Sequence, residues 1–163
     1  MSAVFEANGI DERELTGMAR RIAAPLAGGG VVYLRGDLGA GKTTLARALL
    51  QALDVGERVK SPTYSLIESY RSGDLRVHHL DLYRIAGADE LEWLGLADLV
   101  YGPSLVVVEW PDRGLSGLPP ADLEIELRHA GEKRDLRVAA HGSIGQRALR
   151  ALQTDPAGDG GIS

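Results

Sequence analysis

The chain of 163 residues has 44% hydrophobic and 25% charged side chains, the composition of a soluble globular protein. No apolar stretch approaches the roughly 20 residues that a membrane-spanning helix needs, and residues 1–8 lack the layout of a signal peptide. The sequence has no cysteine, which excludes disulfides and thiolate chemistry, and its net charge of −5 argues against a surface devoted mainly to nucleic acid. We therefore expect a cytoplasmic protein without membrane contact, with one domain over residues 1–154.

The first half of the chain predicts a helix, a strand and a second helix. Asp11 and Glu14 have the spacing of a capping box, and apolar residues recur at helical spacing until the three glycines at 28–30. Residues 31–34 are then predicted to form a short buried strand, and residues 42–53 a helix. This order is a strand, loop and helix unit.

The loop of that unit, residues 36–43, reads GDLGAGKT, a complete G-x-x-x-x-G-K-[ST] phosphate-binding motif. Its glycines let backbone N–H groups face a polyphosphate, Lys42 brings a charge to the outer phosphates, and Thr43 supplies a hydroxyl for Mg²⁺. The positive end of the following helix faces the same anion. With 21 glycines in the chain, such a match is expected by chance only roughly 0.004 times, so the motif predicts a polyphosphate site.

The second half of the chain predicts mostly strands. Strands at 64–70 and 75–80 flank a turn at 72–74, short helices are expected at 89–94 and 96–101, and residues 104–109 form the most strand-like run. There follow two strands at 122–128 and 135–140, a helix at 143–153 and a disordered tail at 155–163. The sequence thus predicts an α/β fold of the P-loop NTPase type. It has three layers, in which helices lie on both faces of a mixed sheet with a parallel core and antiparallel hairpin additions.

A phosphate loop that binds Mg²⁺ needs an acidic partner at the end of a neighbouring strand. Glu109 follows a fully apolar run suited to the centre of the sheet, and Asp81 follows a more polar strand. The pattern favours Glu109 as the metal ligand. Asp81 would then orient either a water bound to Mg²⁺ or the attacking water, and the residues leave both alternatives open.

Three further features have both a functional and a structural interpretation. His78 and His79 are neighbours on a strand, so they point to opposite faces and cannot chelate one ion together. Trp110 is either a wall beside the phosphates or a packing residue at the sheet edge. Residues 61–63 are either a switch that senses the γ-phosphate or an ordinary proline turn.

Four motifs occur in a characteristic order and spacing: GDLGAGKTT at 36–44, KSPTY at 60–64, HLDLYR at 79–84 and EWP at 109–111. Together they resemble the TsaE family, the ATPases of bacterial tRNA threonylcarbamoyl-adenosine synthesis. The resemblance implies an ATPase that acts with two protein partners, TsaD and TsaB, which transfer threonylcarbamate onto the adenosine next to the anticodon. Members of the family do not perform that transfer, so tRNA is a partner only through the complex.

The resemblance also implies roles for individual residues. Thr43 and Glu109 correspond to the Mg²⁺ ligands, Asp81 matches the Walker-B-like acid, and Lys42 completes the catalytic set with these two acids. Asp11 and Arg134 are implied near the nucleotide by the resemblance alone, since Asp11 already has a capping role and Arg134 could be a surface charge. The full set implied to contact ATP is Asp11, Asp37, Leu38, Gly39, Ala40, Gly41, Lys42, Thr43, Thr44, Thr63, Trp110 and Arg134.

Three alternatives share the phosphate loop. A GTPase is disfavoured because the single asparagine, Asn8, leaves no N-K-x-D guanine-reading motif. A small-molecule kinase is disfavoured because residues 83–101, where a lid would lie, carry only one arginine, Arg84. A nucleotide-dependent switch with little turnover is compatible with residues 61–63. Because no catalytic arginine or glutamine stands beside the motifs, we expect that a partner completes the site.

Overall fold

The structure of the protein is a computed structural model that describes residues 3–55, 67–83 and 102–153. These residues form seven strands and three α-helices. The strands are β1 (Ala3–Ile10), β2 (Gly30–Gly36), β3 (Ile67–Ser72), β4 (Leu75–Asp81), β5 (Ser104–Glu109), β6 (Leu123–Ala130) and β7 (Lys133–Ala140). The helices are α1 (Glu12–Leu26), α2 (Lys42–Ala52) and α3 (Gly142–Gln153).

All seven strands belong to one sheet, in the order β1-β7-β6-β2-β5-β4-β3. The four strands from β6 to β4 pair in parallel, whereas β3 pairs antiparallel with β4, and β7 with both β6 and β1. The predicted α/β fold, with a parallel core and antiparallel hairpin additions, is confirmed. Parallel pairing brings the carboxyl ends of β2, β4 and β5 to one edge of the sheet, where ligands bind in open α/β sheets.

The sheet separates two apolar clusters, because alternate residues of a strand point to opposite faces. The larger cluster joins the three described helices to residues such as Val32, Val107 and Ile125. The smaller cluster contains Tyr33 and Val108 on the other face, and Trp110, Leu118 and Ala121 pack against it. Every residue of β5 is buried, which explains its apolar run at residues 105–108.

The helices begin and end close to their predicted bounds for the expected reasons. The Asp11 side chain accepts a hydrogen bond from the Glu14 backbone N–H at 2.8 Å, and the Glu14 carboxylate accepts one from the Asp11 N–H at 3.0 Å. This capping box fixes the start of α1, and Gly29 follows its end with φ of +114°. The apolar stripe of α1 faces the larger cluster.

Strand β1 was not predicted from the sequence. Its side chains from Val4 to Asn8 are alternately exposed and half-buried, so the apolar signal of this edge strand is weak. The pairing with β7 also becomes irregular between Ala7 and Ile10, where Gly9 has a positive φ of 62°. Strand prediction depends on alternation between apolar and polar residues, and β1 shows little of it because the strand is only half-buried and its register is irregular.

Some predictions fall on residues that the structure does not describe. These are the helices at 89–94 and 96–101, the switch at 61–63, the first residues of the 64–70 strand, and the tail at 155–163. The assignment of residues 1–154 to one domain stays a prediction. Within residues 3–55, 67–83 and 102–153, none of the helices is long and apolar enough to cross a membrane.

Candidate functional site

The phosphate-binding motif lies where the sequence places it, between the end of β2 and the start of α2. Gly41 is the N-cap of α2 and has φ of +106°, a left-handed conformation that favours glycine. A Cβ atom there would also lie 2.8 Å from the Arg134 Nε atom. The loop therefore turns sharply into the helix. The N-terminus of α2 borders an open cleft, which is lined by the loop together with Asp81, Tyr83, Glu109, Trp110 and Arg134.

Lys42 lines this cleft and is only 4% exposed. Its Nζ atom donates hydrogen bonds to the carbonyl oxygens of Gly36 and Asp37, both at 2.8 Å, and lies 4.2 Å from the Trp110 ring centroid. Burial lowers the pKa of Lys42 below its ordinary value, and the nearby carboxylates of Glu109, Asp37 and Asp81 offset only part of that shift. The ammonium is thus held in place by the backbone of the loop itself.

Glu109, at the end of β5, is the acid that reaches the phosphate loop. The Thr43 hydroxyl donates to its carboxylate, with distances of 2.9 Å to Oε1 and 3.2 Å to Oε2. Burial by itself raises the pKa of Glu109, but hydrogen bonds from His79 and Thr43 and the charge of Lys42 hold this pKa below its ordinary value. The carboxylate, although only 3% exposed, is therefore ionised at neutral pH.

Asp81, at the end of β4, lies directly opposite Glu109 in the parallel register. Unlike Glu109 it is exposed, and its Oδ1 atom accepts a hydrogen bond from the Tyr83 backbone N–H at 3.1 Å. Both acids line the cleft. The prediction that the two acids meet at one sheet edge is confirmed, with Glu109 on the more central strand.

Trp110 lies where both interpretations place it, and its role as a wall beside the phosphates stays a prediction. It packs against the smaller apolar cluster and also lines the cleft, with its ring 5.0 Å from the Tyr83 ring between centroids. Its backbone has φ of +61°, which is a strained conformation for a bulky residue and is characteristic of functional sites. Tyr83 itself was not predicted as a site residue, because nothing in its sequence context separates a cleft aromatic from a packing one.

Two side chains from the β6–β7 hairpin contact backbone carbonyl oxygens of the phosphate loop. Arg134 donates from Nε to the Ala40 carbonyl oxygen at 2.7 Å, and the His129 Nε2 atom lies 3.2 Å from the Leu38 carbonyl oxygen. Arg134 also lines the cleft. The structure thus places Arg134 at the loop, where the sequence alone offered no reason to expect it, since the β6–β7 pairing that brings it there is a long-range contact.

Most of the predicted site residues come together. Those that line the cleft are Leu38, Gly39, Gly41, Lys42, Thr43, Thr44, Asp81, Glu109, Trp110 and Arg134. The backbone carbonyl oxygen of Asp37 accepts a hydrogen bond from Lys42, and that of Ala40 accepts one from Arg134. Ala40 is fully buried. Asp11 is not among the lining residues described, and Thr63 lies outside the described residues.

The capping role of Asp11 gives a first testable prediction. Asp11→Ala removes the side-chain acceptor at the start of α1, and we expect a loss of about 0.5–2 kcal/mol in the free energy of unfolding. We expect Asp11→Asn to retain most of that stability, because the amide oxygen still accepts from the Glu14 N–H. Chemical denaturation of both variants measures this. Full stability of Asp11→Ala would contradict the capping role.

The oxygen atoms of this cleft fit Mg²⁺. Magnesium in nucleotide sites is bound by one or two protein oxygen ligands, with phosphates and waters completing the octahedron. Thr43 Oγ1 and the Glu109 carboxylate are adjacent, and the Asp81 carboxylate lies across from them. Among the described residues, no three His, Cys, Asp or Glu side chains cluster as a metal cage.

The comparison with known proteins agrees with this architecture. Residues 10–137 match the sequence model of the family described as "Threonylcarbamoyl adenosine biosynthesis protein TsaE". A protein of Haemophilus influenzae named tRNA threonylcarbamoyladenosine biosynthesis protein TsaE is 40% identical over 122 residues, which cover 75% of this chain and 77% of that protein. A Bacillus subtilis protein of the same name is 36% identical over 135 residues, covering 82% and 84%.

A solved structure supports the same assignment of fold. The crystal structure of Bacillus subtilis YdiB superimposes with a TM-score of 0.73 and 27% sequence identity, covering 94% of this chain and 96% of that one. The range matched by the family model, residues 10–137, contains the phosphate loop, both acids at the sheet edge and Arg134. The chain therefore belongs to the TsaE family.

Proposed function

We propose that the protein binds ATP with Mg²⁺ and hydrolyses it to ADP and phosphate, as a component of tRNA threonylcarbamoyladenosine biosynthesis. The observation that carries the proposal is the contact between Thr43, in the phosphate loop, and Glu109, at the end of the neighbouring parallel strand. Family membership supports the biosynthetic role, since the relatives are named for it. The single asparagine of the sequence favours adenine over guanine as the base.

In this proposal the loop holds the phosphates by charge and by oriented N–H groups. Lys42 has a compact ammonium that is already desolvated and fixed, so its attraction to a phosphate oxygen is stronger than that of a flexible surface lysine. The α2 N-terminus adds the partial positive charge of the helix. Mg²⁺ when bound neutralises charge on the phosphate oxygens.

The two acids have different roles because their environments differ. Glu109 is buried and bound to Thr43, so it belongs with the metal ligands. Asp81 is exposed to the cleft, and one of its carboxylate oxygens is bound by the Tyr83 N–H. Its other oxygen would orient a water for in-line attack on the γ-phosphate, directly or through a metal-bound water.

We further propose that TsaD and TsaB complete this site. Arg134 is the one arginine that lines the cleft within the described residues, and its Nε atom is bound to the Ala40 carbonyl. Among the described residues that line the cleft, Lys42 and Arg134 are the cations, and a further arginine supplied from outside typically accelerates such reactions by 10³–10⁵. The isolated chain should turn over slowly.

The test is ATP turnover of the purified chain, alone and with TsaD, TsaB and tRNA. We expect slow release of ADP and phosphate in equal amounts from the chain alone, and faster release after the partners are added. Equal rates with and without them would contradict the role of the partners. Tight ATP binding without turnover in either mixture would indicate a nucleotide-dependent switch instead.

The same assay separates the remaining alternatives. A small-molecule kinase would produce ADP without a matching amount of free phosphate when its acceptor is present. A competition experiment in which GTP displaces ATP at much lower concentration would contradict the choice of adenine.

A further inference from the structure

The proposed function leaves one buried ionisable group in the site without a role. His79 lies on β4, is 8% exposed, and its Nε2 atom is 2.6 Å from Glu109 Oε2. It is therefore the closest polar neighbour of Glu109 described, closer than Thr43 at 2.9 Å. A buried carboxylate retains its charge only when hydrogen-bond donors compensate for lost water.

The direction of this hydrogen bond follows from the two groups. An ionised carboxylate only accepts, so the His79 Nε2 atom must carry the proton and donate it. The other ring nitrogen, Nδ1, lies 4.0 Å from Glu68 Oε1, on the side away from Glu109. His79 thus contributes one directed donor to Glu109.

We propose that His79 is a positioning residue, which fixes the Glu109 carboxylate in the orientation that serves Thr43 and Mg²⁺. The inference rests on the proposed function and adds a residue to which that function assigns no role. His79 holds Oε2 from β4, and Thr43 lies nearer to Oε1 on the loop side. With one oxygen held on each side, the carboxylate does not rotate away from the cleft.

The strand register explains why His79 and not His78 has this role. Side chains alternate along β4, and Val77 and Leu80 belong to the clusters on opposite faces of the sheet. His79 shares the face of Val77 with Glu109, whereas the His78 Nδ1 atom lies 2.8 Å from the Ser69 hydroxyl. The two neighbours are similarly buried, at 4% and 8% exposure, so His78 is a matched control.

The test compares His79→Leu with His79→Gln, and both with His78→Gln. Glutamine can place an N–H donor near the Nε2 position, whereas leucine fills the space without a donor. The measurement is binding of a non-hydrolysable ATP analogue by titration calorimetry at a series of Mg²⁺ concentrations, and the unfolding midpoint of each variant is recorded. Substituting a residue that is hydrogen-bonded to a metal ligand typically lowers the metal affinity by 10–100-fold.

We expect His79→Leu to raise the Mg²⁺ concentration needed for binding roughly tenfold or more, and His79→Gln to restore most of the loss. His78→Gln should leave the Mg²⁺ dependence unchanged. If His79 had only a structural role, both substitutions would lower the unfolding midpoint, and His79→Leu and His79→Gln would need the same Mg²⁺ concentration for binding. In metal-free protein, proton NMR should detect a slowly exchanging Nε2–H that is lost in Glu109→Ala.

The failures of the two proposals are distinguishable. If the native protein binds the ATP analogue with Mg²⁺ and His79→Leu shows the same Mg²⁺ dependence, the positioning role is wrong and the proposed function stands. If the native protein does not bind the analogue at any Mg²⁺ concentration, the proposed function is wrong and the role of His79 falls with it.

Discussion

Lys42→Ala should abolish ATP turnover and weaken ATP binding by at least tenfold. The ammonium is the one lysine charge in the described cleft, and each charge-assisted hydrogen bond that it makes to a phosphate is worth about 1.5–3 kcal/mol. A loss of 1.4 kcal/mol is a factor of ten in affinity. If Lys42 makes two such contacts in the transition state, turnover falls below detection in a slow enzyme. Calorimetry for binding and phosphate release for turnover measure the two effects.

The matched control for this prediction is Lys133→Ala. Lys133 is exposed at the start of β7 and is not among the residues that line the cleft. Lys133→Ala removes the same charge from the chain without changing the site, so the turnover of this variant should equal that of the native protein. The fold of Lys42→Ala should survive, because the hydrogen bonds of the Lys42 ammonium go to loop carbonyls and Lys42 is not a member of either apolar cluster. Native turnover by a folded Lys42→Ala variant would overturn the assignment of the loop.

The site was predictable from the sequence wherever local pattern determines position. The phosphate loop is one continuous segment, and Glu109 ends an apolar run suited to a central parallel strand. Asp81 follows from the same argument, since parallel neighbours end at one sheet edge. These positions need no knowledge of side-chain contacts.

What the sequence did not predict depends on contacts between distant segments. Alternation showed that His78 and His79 face opposite ways, but not which of them faces Glu109, because that depends on the register between β4 and β5. Arg134 lies in β7, 94 residues after Ala40 in the sequence, and the β6–β7 hairpin brings its side chain to the loop. Strand β1 has its weak pattern because it pairs with only one of the described strands, β7, and its inner side chains are only half-buried.

Gly145→Ala should be the most destabilising glycine-to-alanine change in the described helices. A Cβ atom at Gly145 would lie 1.9 Å from the Asp122 carbonyl oxygen and 3.4 Å from the Ala140 Cα atom. Asp122 cannot easily move away, because its backbone carbonyl accepts from the His141 N–H at 2.9 Å and its N–H donates to Val31 at 2.8 Å. Helix α3 would instead have to move away from the sheet to make room for the added methyl group.

Overpacking of this kind costs about 1–3 kcal/mol, and contact with a fixed backbone atom places Gly145→Ala at the upper end. The control is Gly17→Ala in α1, another helical glycine, whose added Cβ would meet nothing within 4 Å. There the same methyl should stabilise the protein by about 0.5–1 kcal/mol, since alanine favours the helix over glycine. Opposite shifts of the denaturation midpoint are therefore expected. Equal shifts would mean that helix propensity, and not the close approach of α3 to the Asp122 backbone, determines both changes.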